Sequence, residues 1–277
     1  MNLAITGPTS GIGVETVKAL ASTFNTIFLL VRNEEKAVSL ITDVLSTHKK
    51  EKFVIIPCDL GNLTSVAKAA DLIKDKVDAL HVLINNAGGI FPDGKLTGDK
   101  FEQTFQINHL GHFLLTLKLL PLLENAGGSK VINVSSEAHK GANPKLSEVN
   151  DIAKYRSFPA YANAKLFNIL FSKSLSEKYV SKGIHSYSLH PGVVKTNFGG
   201  DFSGVFKFLI KLAQPFMINA EQGAKTTVFL AKSSISSLKF GSYFKKSKPA
   251  NPSKTATSSS LRQKLWTMSQ DLVKEYL

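Results

Sequence analysis

The chain has 277 residues, 43% of them hydrophobic and 20% charged, a balance that supports a large buried core and excludes a disordered, collagenous or disulfide-stapled protein. Its 34 lysines and arginines against 21 aspartates and glutamates leave a net charge of +13, which favours anionic partners without choosing among a phosphorylated cofactor, an acidic lipid surface and nucleic acid. The single cysteine, Cys58, excludes an internal disulfide and points to a reducing compartment. The opening residues show no basic leader or apolar targeting segment, so a cytoplasmic location is expected.

In chain order, short apolar runs predict strands over 3–5, 26–31, 53–57, 80–84, 131–134 and 184–189. Segments of helical period predict helices over 14–24, 34–47, 63–76, 101–123, 160–180 and 220–231. The strand runs are apolar throughout rather than alternating, as a parallel sheet covered on both faces requires. One doubly wound α/β (Rossmann) domain of three layers is therefore expected over residues 1–244. The stretch Phe244-Lys245-Lys246-Ser247-Lys248-Pro249 and the residues that follow to Ser260 are polar, basic and breaker-rich and read as a flexible crossing. A helix over 261–277 is expected to follow and to pack on the same domain.

Directly after the first strand comes Thr6-Gly7-Pro8-Thr9-Ser10-Gly11-Ile12-Gly13, with a helix behind it. Glycines there permit a tight turn and let backbone N–H groups at a helix N-terminus approach a pyrophosphate. At the tip of the second strand, where a dinucleotide's ribose would lie, the sequence offers Val31 and Arg32 and no carboxylate. A guanidinium at that point suits a 2′-phosphate, so NADP(H) is expected over NAD(H).

With Gly7-x3-Gly11-x-Gly13, Asn85-Asn86-Ala87-Gly88, Tyr161-x3-Lys165 and Pro191-Gly192-x3-Thr196, the sequence resembles the short-chain dehydrogenase/reductases over about residues 2–244. Within that family it is most similar to retinol-dehydrogenase-like members, from the stretches 107–116, 134–139 and 241–244. The membrane-bound retinol enzymes carry an apolar N-terminal anchor that the opening residues here do not show. The resemblance and the turn chemistry together imply cofactor contacts from Gly7, Ser10, Gly11, Ile12, Gly13, Arg32, Asp59, Leu60, Asn86, Ala87, Gly88, Tyr161, Lys165, Pro191, Gly192, Val194 and Thr196. For Asp59, a helix N-cap is the competing role.

Tyr161 and Lys165 stand four apart in a helical segment and so share a face. A phenol with a pKa near ~10 is a sluggish base, and a neighbouring ammonium is expected to lower it. Tyr161 can then exchange a proton with a substrate oxygen while hydride moves at a nicotinamide. The resemblance makes Ser136, with Ser135 as the alternative, the serine that holds the substrate oxygen. It also makes Asn108 the anchor of a relay water, against a helix-kinking amide. His109 and His112 are spaced i, i+3 without a third ligand and read as packing or polar helix residues, so no metal is expected. His190 reads as a wall of the cofactor crevice.

Residues 198–218, rich in phenylalanine and punctuated by Gly199, Gly200, Gly204 and Pro215, correspond to the family's substrate lid. An apolar lid with Lys207 and Lys211 suggests a lipophilic substrate and contact with a membrane surface. The seven basic residues from Lys239 to Lys264, with no acidic one among them, read as a solvated tail rather than a nucleic-acid site. The expected protein is an NADP(H)-dependent alcohol dehydrogenase or carbonyl reductase acting on a small molecule, as a monomer or homodimer. A catalytically silent NADP-binding regulator and a sugar-nucleotide epimerase using the same Tyr-x3-Lys pair are the alternatives.

Overall fold

Alternate residues of each central strand enter different cores. In β1 (Asn2–Thr6) and β2 (Thr26–Val31), Leu3, Ile5, Ile27 and Leu29 join one apolar cluster while Ala4, Phe28 and Leu30 join another. Strands of this kind must be covered on both faces, and helices do so here. The computed structural model describes residues 1–194 and 217–277. Its other strands are β3 (Phe53–Pro57), β4 (Val82–Asn85), β5 (Ser129–Val134), β6 (Ile184–His190), β7 (Tyr243–Lys245) and β8 (Lys248–Ala250). They form one sheet of order β3-β2-β1-β4-β5-β6-β7-β8, parallel through β7 and antiparallel only at β8. The chain reverses its direction of winding between β1 and β4, and the crevice above the strand ends there is where such sheets take ligands.

On one face lie α1 (Gly11–Leu20) and α2 (Glu34–Ser39), followed much later in the chain by a helix over Ala220–Lys232. On the other lie α3 (Leu63–Lys74), α4 (Gln103–Phe105), α5 (Gly111–Lys118), α6 (Leu120–Asn125) and α7 (Ser157–Tyr179), which bury Val66, Leu114, Leu123, Leu166 and Phe171 among others. The helix over Ala220–Lys232 is α8, and the last long helix, α9, spans Ser259–Val273. Among the described residues no helix is long and apolar enough to cross a membrane. The expected lid over 198–218 lies outside the described residues except for Met217 and Ile218.

Three elements differ from expectation. The helix expected over 101–123 is divided: a π turn over Gln106–Leu110 separates α4 from α5, and α6 restarts with Pro121 in its first turn, where the missing N–H does no harm. The helix expected over 34–47 gives way to a π turn over Leu40–Val44. The flexible crossing expected from Phe244 to Pro249 is instead a hairpin. β7 extends the parallel sheet beside β6, and the turn residues Lys246 and Ser247 have φ of 52° and 58°. That pair of left-handed residues matches the twist of a tight hairpin. Its polar composition follows from β8 being an edge strand, where Pro249 withholds no needed donor, so an expected boundary at residue 244 falls inside a sheet.

The C-terminal helix shares the main core. Trp266 of α9 stacks on Phe171 with ring centroids 6.0 Å apart and meets Phe113 edge-on at 5.1 Å. Trp266→Ala is expected to lower unfolding free energy by about 3–5 kcal/mol, read as a lower urea midpoint. A parent-like midpoint would show that α9 does not contribute to the core.

Candidate active site

β1 ends in Thr6, a hub for the turn that follows. Its hydroxyl accepts from the backbone N–H groups of Asn86 and Ala87, each at 3.0 Å, while Asn86 Nδ2 donates to the carbonyls of Thr6 at 2.9 Å and Gly7 at 3.1 Å. The Asn86-Ala87-Gly88 stretch after β4 is thereby tied to the glycine turn. In the turn, Gly7 and Gly11 have φ of 63° and 49°, and a Cβ on Gly13 would stand 2.0 Å from the Gly7 carbonyl oxygen. Only glycine allows α1 to start so close to β1. Ser10 occupies the N-cap of α1 but its side chain makes no capping bond, which leaves first-turn N–H groups for an anion. Ile12 is backed by α8, where a Cβ on Gly223 would lie 3.1 Å from Ile12 Cγ1 and 2.7 Å from Val194 Cγ2.

Arg32 follows β2, is exposed, and makes no hydrogen bond or ion pair among the described residues. Asp59 follows β3 and accepts from the Gly61 N–H at 2.9 Å. The competing capping role falls to Asn62, which accepts from the Ser65 N–H at 2.9 Å at the start of α3. Leu60 is buried between them. After β6, Pro191 leads into Gly192, whose φ is 106° and whose Cβ would meet Ile218 Cδ1 at 2.4 Å. Val194 and Ile218 form a parallel bridge, with the Ile218 N–H donating to the Val193 carbonyl at 2.8 Å. Thr196 lies outside the described residues. The glycine turn and the side-chain-uncapped start of α1 fit the pyrophosphate of a nicotinamide dinucleotide.

Across the crevice, α7 presents Tyr161 and Lys165 on one face, both buried, with the ammonium 5.5 Å from the phenol ring centroid. Lys165 Nζ donates to the Val134 carbonyl at 3.1 Å at the end of β5. Ser135 is spent structurally, since its hydroxyl donates to the Lys165 carbonyl at 2.6 Å. Ser136 caps a short 3₁₀ turn over Glu137–Gly141, its Oγ accepting from the Ala138 N–H at 3.2 Å, and its hydroxyl also hydrogen-bonds with Tyr161. Asn108 sits in the π turn. Its Nδ2 donates to the carbonyls of Gly89 and Thr104 at 3.0 Å each, and its Oδ1 accepts from the Gly89 N–H at 3.1 Å. The amide therefore clamps the loop after β4 to the helix. The structure brings Gly88, Asn108, Ser136, Tyr161 and Lys165 together at the C-terminal ends of β4 and β5.

The electrostatics differ from the expectation for the phenol. Burial pushes Tyr161 up to about 12, and a hydrogen bond with Ser136 only partly opposes it. Burial also pulls Lys165 down to about 8. In the protein alone, desolvation outweighs the ammonium that was expected to lower the phenol.

His109 and His112 are packing and polar helix residues, as the sequence suggests, but the contacts by which His112 and His190 support this site are not legible in it. His112 Nε2 lies 2.9 Å from Thr6 Oγ1 and His112 Nδ1 lies 3.3 Å from the Asn108 carbonyl, so a neutral ring with its proton on Nδ1 joins the glycine turn to the π turn. Burial holds that imidazole down at about 3. His109 points elsewhere, into an aromatic cluster with Phe105, Phe167 and Phe171, with Nε2 2.9 Å from Ser269 Oγ of α9. His190 Nδ1 accepts from the Glu137 N–H at 3.2 Å and so supports the turn behind Ser136. Identity and spacing carry no signal for such contacts, which arise only when distant strands are aligned.

The family model for short chain dehydrogenases matches residues 2–204, and the chain belongs to the short-chain dehydrogenase/reductase family of oxidoreductases. Retinol dehydrogenase 12 of Mus musculus is 32% identical over 271 residues, covering 98% of this chain and 85% of that protein. The human WW domain-containing oxidoreductase is 35% identical over 285 residues, covering 99% of this chain and 68% of its own. Among solved structures, an uncharacterised protein from Mycobacterium Paratuberculosis superposes with a TM-score of 0.80 at 30% identity, over 99% of this chain and 93% of that one. The NADPH-bound carbonyl reductase from chicken fatty liver shares the fold, with a TM-score of 0.69 at 23% identity over 91% of this chain and 98% of that one.

Proposed function

We propose that the protein is an NADP(H)-dependent oxidoreductase that interconverts the alcohol and carbonyl forms of a small lipophilic substrate. The observation that carries this reading is the half-buried Ser136 beside the buried Tyr161 and Lys165, together with a glycine turn whose helix start has no side-chain cap. Gly7, Ser10, Gly11, Ile12 and Gly13 would hold the pyrophosphate, and Arg32 the 2′-phosphate. Asp59, Leu60, Asn86, Ala87 and Gly88 would line the adenosine side, and Pro191, Gly192, Val194 and Thr196 the nicotinamide side. A nicotinamide cofactor bound there supplies the hydride donor or acceptor.

The chain's own residues handle the proton. Ser136 Oγ holds the substrate oxygen, and Tyr161 Oη gives a proton to a carbonyl oxygen or takes one from an alcohol. A phenol held up at about 12 is protonated at neutral pH, the state carbonyl reduction needs. Lys165 places a positive charge beside the phenol that favours its ionised form during turnover. Asn108 keeps the loop around Gly88 and Gly89 in place. The lipophilic reading draws on relatives named as retinol dehydrogenases and on Phe158. That residue is 40% exposed and lies three residues before Tyr161 on the same face of α7.

Turnover of a homologous aldehyde series with NADPH and NADH tests the reading. Tyr161→Phe should lower kcat by roughly 10²- to 10⁴-fold while NADPH affinity in a fluorescence titration stays near that of the parent. Near-normal turnover in that variant would overturn the assignment of the acid. A parent that binds NADPH but reduces no carbonyl would favour a silent binding protein instead. For cofactor choice, a charge-assisted hydrogen bond of about 1.5–3 kcal/mol corresponds to a preference of roughly ten- to a hundredfold. Arg32→Ala should erase most of the NADPH preference, and equal NADH and NADPH affinities in the parent would contradict the role given to Arg32.

A further inference from the structure

His139 lies three residues beyond Ser136 and is fully buried. Its Nδ1 stands 2.6 Å from the Ser136 carbonyl oxygen, and its Nε2 accepts from the backbone N–H of Ser253 at 3.0 Å. A backbone N–H can only donate, so the ring proton must sit on Nδ1, where it is donated to Ser136. Protonating both nitrogens would set two donors against each other at Ser253. Burial independently favours the neutral form by drawing the imidazole below its ordinary value.

The groups around the ring hold this arrangement from several elements. Tyr243 of β7 meets His139 edge-on at 5.2 Å and donates to Glu137 Oε1 at 2.9 Å. Glu137 Oε2 in turn accepts from Lys140 at 2.8 Å and Lys245 at 3.0 Å. On its upstream side Ser136 is anchored through Ser135, whose N–H donates to the Leu189 carbonyl at 2.8 Å. Downstream, the 3₁₀ turn has its own backbone bond from the His139 N–H to the Ser136 carbonyl at 3.1 Å. The imidazole is what ties that turn to the C-terminal segment.

We infer that His139 is a positioning residue for Ser136, and that its neutral Nδ1–H tautomer makes the segment beginning at Ser253 part of the active-site framework. This rests on the role proposed above for Ser136. The ring meets the Ser136 carbonyl, the Ser253 N–H and Tyr243 rather than the glycine turn, so its loss should act on kcat rather than on cofactor binding.

Kinetics of three variants separate donor loss from general destabilisation. His139→Ala should lower kcat roughly 10- to 100-fold with NADPH affinity within about twofold of the parent. His139→Asn carries an amide N–H at the Nδ1 position and should restore most of kcat. His139→Gln offers an acceptor toward Ser253 but no donor at Ser136, and should not. Turnover that follows thermal stability rather than the donor, or a parent-like kcat in His139→Ala, would overturn the inference. If the alanine variant fails to fold, the Asn and Gln pair still decides. Nitrogen-15 NMR of the parent provides a readout without turnover. The inference requires a neutral Nδ1–H ring at neutral pH, and an Nε2–H or doubly protonated ring overturns it. A parent lacking turnover would defeat the proposed function, and the tautomer would still decide the clamp.

Discussion

No side chain fits at Gly88. A Cβ there would stand 2.4 Å from Asn108 Oδ1 and 3.2 Å from Lys165 Nζ, and its φ of 152° lies at the edge of the region L side chains rarely adopt. At this one residue the end of β4, the π turn before α5 and the face of α7 converge. The rest of the site depends on that contact. Asn108, in the π turn, reaches both the N–H and the carbonyl of Gly89 because the loop passes so close. His112, one turn later, carries the same constraint back to Thr6 and the glycine turn.

Close packing at the strand ends also sets the electrostatics. Tyr161 and Lys165 are removed from water together, with no anionic partner among the described residues. Burial therefore works against both charged forms, moving the phenol up and the ammonium down. For Lys165 the folded value of about 8 lies below its ordinary one. The protein thus bears a stability cost at neutral pH, which is relieved as the pH rises from about 8 toward the lysine's ordinary range. A fold that keeps such a pair holds it against its own stability, which is common where a site is organised for chemistry.

Much of this was legible in the sequence because it depends on local rules. Unbroken apolar strands implied a sheet covered on both faces, the spacing of Gly7, Gly11 and Gly13 implied a strand-to-helix turn, and Tyr161 with Lys165 implied one helix face. The illegible features depend on what distant residues do to one another. The hairpin at Lys246 and Ser247 lacks the Asn-Gly pair that usually signals such a turn, and its polar residues look like a linker because β8 is an edge. Ser135 and Ser136 are indistinguishable by type, and only the carbonyl of Lys165 separates them. The phenol's displacement was misjudged because spacing reveals a neighbouring ammonium but not the depth at which both are buried.

Burial holds the Tyr161 phenol up in the protein alone even with Lys165 beside it, and in the proposed function the positive charge of an oxidised nicotinamide would add to that of Lys165 in favouring the ionised phenol. Ultraviolet difference titration of the parent against Tyr161→Phe, with and without NADP⁺, tests it directly. No ionisation of Tyr161 is expected in the protein alone up to an ordinary tyrosine value of about 10, and ionisation below that value is expected once NADP⁺ is added. Ionisation below the ordinary value in the protein alone, or no change on adding NADP⁺, would contradict it.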